Sequence, residues 1–283
     1  MAENTATLPA VRRTHRMPLS KRLPLVFLAL LVFAGVFGPL LAPYDPTATN
    51  SSEALSPPSL AHWFGTDQLG RDVFSRTLAA TRTDLLVGAV AVSISLVLGT
   101  MIGALAGWRG GRMDVVLGRF VDSIMAFPLF VLAVGIAAGL GNSLTSVIVA
   151  TAIVNLPFYA RAVRFEVARR RNAGWVEAAL LARIPPVKIV TFHILPNLVA
   201  LLATQSSLNM GWAILNAAGL SFIGLGIRPP EAEWGIMVAD GASYIFSGEW
   251  WVFTFPGLAL MSAVLIFTRA GDALRQLLDP RSK

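Results

Sequence analysis

The chain has 283 residues, of which 55% are hydrophobic and only 14% are charged, with a formal net charge of +7. This composition is too apolar for a soluble protein and predicts a membrane protein. There is no cysteine, so disulfides and thiolate metal sites are excluded. The three histidines lie far apart in the sequence, and we therefore predict no metal site and no cofactor.

Six apolar runs are long enough to cross the membrane. A hydrocarbon core of about 30 Å requires roughly 20 apolar residues in a helix. We therefore predict an all-α membrane protein with six transmembrane helices. The first run follows a basic N-terminal segment (1–22), but it is too long for a signal peptide and lacks a small-residue cleavage site, so we expect a retained anchor. The runs are 23–43, 84–107, 115–140, 144–160, 197–226 and 250–268.

The basic residues predict the orientation of these helices. Lys and Arg in short loops favour the cytoplasmic side. With six spans, the N-terminal segment, the second and fourth loops and the tail (269–283) share one side, and they contain all but four of the 23 Lys and Arg residues. We therefore expect both termini to be cytoplasmic, and the positive charge to reflect topology and not nucleic-acid binding. The four exceptions are Arg71, Arg76, Arg82 and Arg228.

The extracytoplasmic segment 44–83 contains the sequence GTDQLGRDVFSRTLAATRTD. In a helix, Asp67 would precede Arg71 and Asp72 would precede Arg76 by four residues, the better order for a surface ion pair. We predict an amphipathic helix on the outer membrane interface, with a plain loop as the alternative. Its apolar side would contain Leu69, Val73 and Leu78.

Ionisable residues are scarce inside the apolar runs. Asp122 lies near the cytoplasmic end of the third run, where Arg119 could pair with it at i,i+3. Ion-driven carriers usually need buried charged groups along their path. An ion-coupled secondary carrier or channel is therefore kept only as the alternative function, and a membrane-bound enzyme as a third.

Polar side chains recur in the fifth run. At 100° per residue, they fall within about 60° of each other on one helix face. This stripe could line a water-filled translocation path, and hydrogen bonding to neighbouring helices would explain the spacing equally well. The residues are Gln205, Asn209, Trp212 and Asn216.

The loop 161–196 joins the fourth and fifth spans and is too polar to cross the membrane. We expect a basic helical continuation, and then a short helix over about residues 173–183 that Pro185 and Pro186 end. A short helix with small residues suits docking into the groove of a partner. An interfacial helix that contacts only lipid headgroups is the alternative.

Several motifs give a specific resemblance. Glu177-Ala178-Ala179 is followed after sixteen residues by Pro196 in HILPN. The chain also contains GTDQLGRDVFSR (65–76), AGWRGGRMDVVLGRFVDSIMAFP (106–128), LSFIGLGIRPPEAEWG (220–235) and FPGLALMSAVLIFTRAGDALRQLLDP (255–280). From about residue 18 to its end it resembles permeases of ATP-binding-cassette importers, in particular the C-type subunit of the dipeptide, oligopeptide and nickel family.

This resemblance implies a type I importer permease fold whose core (84–268) carries a cytoplasmic EAA coupling helix. It also implies a B-type permease partner, two ATPase subunits and an extracytoplasmic solute-binding protein in the bacterial inner membrane. Two positions depart from the family pattern: Arg183 replaces a usual Gly, and Ala217 stands where many members have Glu. The residues that would contact the ATPase are Gly174, Glu177, Ala178, Ala179 and Arg183.

The chain has no recognisable catalytic motif. A Walker A loop requires Gly-Lys, but Lys21, Lys188 and Lys283 follow Ser20, Val187 and Ser282. The hydrolase motifs HExxH and GxSxG are also missing. We therefore predict a transport subunit without an ATPase site, with ATP hydrolysed by another polypeptide.

Overall fold

The computed structural model describes residues 19–278. Apart from one isolated bridge between Thr66 and Asp72, this part of the chain contains no β-structure. A π-helical turn (Val190–Ile194) and a 3₁₀ turn (Leu195–Leu198) join α7 to α8, and another 3₁₀ turn covers Ser51–Glu53. The α-helices are α1 (Leu19–Leu41), α2 (Val73–Arg109), α3 (Gly111–Met125), α4 (Leu129–Leu140), α5 (Leu144–Arg171), α6 (Gly174–Leu181), α7 (Pro186–Ile189), α8 (Val199–Phe222), α9 (Trp234–Ala242) and α10 (Trp251–Leu278).

Five helical segments within residues 19–278 are long and apolar enough to cross a membrane, or six if α3 and α4 together form one span. The predicted all-α membrane fold is therefore confirmed. The predicted third run, 115–140, is not one helix, because α3 and α4 meet at 88°. Pro128 at the start of α4 has no N–H to continue the helix of α3. The 12 residues of α4 extend only about 18 Å.

The closest helix pair in the bundle is α2 and α5. Gly99, Gly103 and Gly107 of α2 face the backbone of α5, and a Cβ atom at Gly99 would lie 2.8 Å from the Leu156 carbonyl oxygen. A Cβ at Gly107 would lie 2.5 Å from the Arg164 carbonyl oxygen. Glycine at every fourth position allows two membrane helices to approach backbone to backbone. The two helices therefore pack without intervening side chains.

The remaining long helices pack around this pair. Helix α8 contacts α2, α5 and α10, and α1 lies against α2 and α10. The short helix α9 packs between α8 and α10, where Gly235 allows close approach to the backbone of Ala218. The apolar core is thus shared by α2, α5, α8 and α10.

The amphipathic helix predicted in GTDQLGRDVFSRTLAATRTD is wrong for its first part, residues 65–72. This part is a turn, with Gly65 and Gly70 in the left-handed region at φ +70° and +71°. Helix α2 begins only at Val73, and the Asp72 carboxylate caps it by accepting a hydrogen bond from the Ser75 N–H at 2.7 Å. The left-handed glycines explain the error, because they favour a turn over a helix.

The charged side chains of this turn are buried, although we expected them on a surface. Asp67 pairs with Arg71 at 2.7 Å, as predicted, but Arg76 pairs with Asp67 at 3.5 Å and not with Asp72. Asp72 instead contacts the Nδ1 of His62 at 2.9 Å. These side chains are nearly inaccessible to solvent. We refer to His62, Asp67, Arg71, Asp72 and Arg76 as the outer charge cluster.

Candidate functional site

Helix α6 follows α5 after only two residues and is attached to the bundle by one face. Val176 is fully buried, and Ala179 packs partly against the same apolar cluster. That cluster includes Val163 and Val167 of α5 and the start of the segment that leads into α8. A displacement of α6 is therefore transmitted directly to α5 and to the approach to α8.

The opposite face of α6 is open. Gly174, Glu177 and Ala178 are exposed, and Glu177 forms no ion pair with any residue that the structure describes. Large apolar side chains flank them: Trp175 is 44% exposed and Leu181 is 86% exposed. Exposed apolar residues beside small ones are typical of a surface that binds another protein. Most of the predicted contact residues therefore lie on one open surface, while Ala179 is half-buried.

Helix α6 ends in a left-handed turn at Arg183, which has a φ of +60°. The Arg183 N–H donates to the Leu180 carbonyl at 2.9 Å, and the Ile184 N–H donates to the Ala179 carbonyl at 3.0 Å. This pair of bonds is a Schellman motif, in which glycine usually occupies the left-handed position. The arginine thus keeps the geometry of the glycine that it replaces. Arg183 is itself exposed.

The prolines do not end α6, contrary to our expectation. The Schellman turn ends it at Leu181, before either proline is reached. Pro186 instead occupies the first turn of α7, a position that tolerates the missing N–H. Beyond it, Val187 and Phe192 are each 72% exposed. The open apolar surface of the loop therefore extends past α6.

The predicted polar stripe on α8 does not form one surface. Asn209 is buried and Asn216 is nearly so, whereas Trp212 is 61% exposed. Asn216 donates to the Trp212 carbonyl of its own helix at 3.0 Å, and Gln205 Nε2 donates weakly to Asn209 Oδ1 at 3.5 Å. Gln205 also lines an open groove of about 370 Å³ between the ends of α8 and α10, beside Arg275.

Sequence reasoning missed two buried carboxyl groups, one in α2 and one at the start of α9. Asp84 of α2 and Glu233 are each 1% exposed, and the buried Oδ1 of Asp84 has no hydrogen-bond partner among the described residues. Asp84 accepts a hydrogen bond from the Trp234 N–H at 3.1 Å, while Glu233 caps α9 through the N–H groups of Gly235 and Ile236. Burial raises the pKa of Glu233, and these backbone hydrogen bonds partly oppose the rise.

Two further expectations concern single positions. Asp122 pairs with Arg161 of α5 at 2.7 Å and not with Arg119, so the local i,i+3 prediction is wrong. Ala217, where many members of the family have Glu, is 1% exposed within an apolar cluster that includes Val87 and Leu220. A carboxylate at this position would be buried without a charge partner in that cluster, which is unfavourable.

Among the described residues, no group of three His, Asp or Glu side chains is arranged to hold a metal ion. What the geometry offers is a bundle of apolar helices with an exposed short helix in the loop between α5 and α8. This arrangement defines a multi-pass membrane protein whose exposed loop helix is accessible to another polypeptide.

Comparisons with known proteins agree with that class. Residues 99–283 match the family described as "binding-protein-dependent transport system inner membrane component". Residues 24–58 match the "N-terminal TM domain of oligopeptide transport permease C". The chain belongs to the first of these families, the permease subunits of ATP-binding-cassette importers, and is a multi-pass membrane protein.

Similar proteins and one solved structure extend this result. The chain is 42% identical to the "probable D,D-dipeptide transport system permease protein DdpC" of Escherichia coli K12, over 91% of this chain and 86% of that protein. It is 40% identical to the "nickel transport system permease protein NikC" of the same organism, over 92% and 94% of the two chains. The inward-facing MetNI methionine ABC transporter aligns with a TM-score of 0.59 at 19% identity, covering 72% of this chain and 96% of that one. The fold is thus the type I importer permease fold.

Proposed function

We propose that this permease is the C-type subunit of an importer for di- or oligopeptides or related small solutes. It pairs with a homologous B-type permease, two ATPase subunits bind on the cytoplasmic side, and a solute-binding protein delivers the substrate from outside. Both termini lie in the cytoplasm. The chain has no ATPase site, so hydrolysis by the partner subunits drives its switch between inward-open and outward-open states.

The observation that best supports this proposal is the exposed face of α6. It combines small residues, Gly174 and Ala178, with the exposed carboxylate of Glu177 and the apolar side chains of Trp175 and Leu181. The opposite, buried face of α6 packs against the bundle through Val176. A helix with one fixed face and one free face transfers displacement from a partner to the bundle.

Substitution of Ala178 by Arg tests the docking role of α6. The long charged side chain would obstruct close approach of an ATPase subunit, so uptake and substrate-stimulated ATPase activity should both fall while the permease still inserts. Ala168→Arg introduces the same side chain at an exposed position on the neighbouring end of α5 and serves as the matched control. Normal transport by the Ala178→Arg complex would contradict the proposal.

The substrate class is inferred from the relatives, several of which are named as peptide permeases and two as nickel permeases. Uptake into vesicles that contain the full complex, measured with a panel of di- and tripeptides and with nickel, distinguishes them. We expect peptide uptake that requires the ATPase subunits. Uptake of nickel alone would contradict the peptide assignment but not the role of α6.

A further inference from the structure

Two ion pairs fix α3 to the end of α5 that leads into α6. Arg164 of α5 donates from Nη2 to Asp114 Oδ2 at 2.7 Å, and its Nε lies 2.5 Å from Oδ1. Arg161 donates from Nη2 to Asp122 Oδ1 at 2.7 Å. Hydrogen bonds between charged groups are shorter and stronger than those between neutral groups. Asp114 and Asp122 are separated by eight residues, or about 12 Å along the helix.

The contact between α3 and the bundle is otherwise small. Gly118 and Val121 are the buried residues of α3, and Val121 packs against Leu156 and Ala160 of α5. Much of the helix is exposed, including Val115, Val116 and Phe120. The ion pairs lie on either side of the Gly118–Val121 contact. They therefore control the direction in which α3 points.

That direction has a consequence for α4. Helix α4 leaves α3 at 88° and packs on α5 and α8. A rotation of α3 relative to α5 would swing α4 within the bundle. If α3 instead stays fixed on α5, the whole bent element follows α5 when α5 moves.

We propose that Asp114 and Asp122, through Arg164 and Arg161, position the bent α3–α4 element so that it moves with α5 and α6 during transport. This rests on the proposed docking role of α6. The four residues are positioning residues: they contact neither the substrate nor the ATPase in this scheme. Their function is to add a further transmembrane element to the part of the permease that α6 displaces.

The exposure of the two ion pairs indicates that they position α3 and contribute little to folding stability. The Arg161 and Asp122 side chains are 50% and 55% exposed, and Arg164 and Asp114 are 41% and 26% exposed. Ion pairs as exposed as these contribute little to folding stability. Their removal should leave the protein folded while allowing α3 to move independently of α5.

The first experiment measures transport per ATP hydrolysed in the reconstituted complex. The D114N/D122N variant should assemble and retain ATPase activity, but transport per ATP should fall about fivefold or more, the lower end of typical coupling between sites. The exchanged pair D114R/R164D should recover most of the coupling. Glu166→Gln is the matched control, because it removes ion pairs to Arg169 and Arg170 within α5 only.

The second experiment requires no variant of the ion pairs. Because the chain has no cysteine, single cysteines can be introduced at the exposed Val116 on α3 and Phe165 on α5. With the partners' own cysteines blocked, spin labels at these sites report the α3–α5 distance in the nucleotide-free and ATP-trapped complexes. We expect this distance to stay unchanged, while a pair between Val116 and the exposed Leu265 of α10 changes.

A change in the α3–α5 distance between the two states would overturn the proposal, as would wild-type coupling in D114N/D122N. Failure of the docking role of α6 would appear separately, as normal transport by Ala178→Arg. The distance measurement also decides the outcome if D114N/D122N does not assemble.

Discussion

The two ends of the permease hold their charges in different ways. In the outer charge cluster, Asp67, Arg71 and Arg76 are buried and bonded to one another and to the backbone. At the end that carries α6, the pairs made by Arg161 and Arg169 are half-exposed to water. Buried pairs are costly to break, whereas exposed pairs contribute little. The difference indicates a rigid end at the outer charge cluster and an end near α6 whose parts can rearrange.

The largest effect is expected from Asp67→Asn. This change leaves Arg71 and Arg76 buried without their carboxylate and should destabilise the protein by about 3–5 kcal/mol. Thermal unfolding of the purified permease in detergent measures the loss. If Asp67→Asn lowers the free energy of unfolding no more than the removal of an exposed ion pair does, the two ends do not differ in rigidity.

A pH series tests the buried carboxyl group of Glu233. Because burial raises the pKa of Glu233 above its ordinary value of 4.5, the native state binds more protons than the unfolded state between that value and the raised pKa. The stabilisation is complete below about pH 4.5 and is lost as the pH rises through the raised pKa. Glu233→Gln removes this titrating group but keeps a side-chain oxygen that can accept from the first N–H groups of α9. The melting temperature should then depend less on pH, and an unchanged profile would contradict this assignment to Glu233.

A smaller effect is expected at the end of α6. Arg183→Gly removes the strain of a left-handed arginine and should stabilise the permease by about 1 kcal/mol, if it folds reversibly enough for chemical denaturation. The neighbouring Ala182→Gly is the control, since Ala182 has a φ of −73° and should instead lose stability. Equal shifts in the same direction would argue against strain at Arg183.

The smallest effect is expected from Glu166→Gln. Its ion pairs to Arg169 and Arg170 are i,i+3 and i,i+4 pairs within one helix, which contribute about 0.2–0.5 kcal/mol each, so the change in unfolding free energy should stay below about 1 kcal/mol. The same denaturation measurement applies. A loss comparable to that of Asp67→Asn would show that both ends are equally rigid.

The elements that follow local rules could be predicted from the sequence. Apolar runs indicated the membrane helices, and the residues after the basic end of α5 indicated a short helix near 174–181. The errors arose where distant residues decide the structure. Asp122 pairs with Arg161, 39 residues away, and not with Arg119, and Asp84 accepts a hydrogen bond from the Trp234 N–H, 150 residues away. No local pattern encodes these partners.

Other errors had a visible signal. Gly65 and Gly70 permit left-handed backbone, and Pro128 interrupts the third run, yet charge spacing and hydropathy suggested continuous helices there. For the site, the exposure of Glu177 and Ala178 agrees with a docking surface. On α8, Asn209 is buried and Trp212 is exposed, because equal angular position does not determine what packs outside each residue.

The glycine contacts between α2 and α5 have a consequence for how the permease can change shape. With their backbones touching, neither lipid tails nor water can enter between these two helices, and sliding would drive carbonyl oxygens into Cα atoms. The path that opens for the substrate must therefore run between helix faces that meet through larger side chains, such as those of α8 and α10. A search for gate residues should begin there and treat α2 and α5 as one rigid unit that moves together.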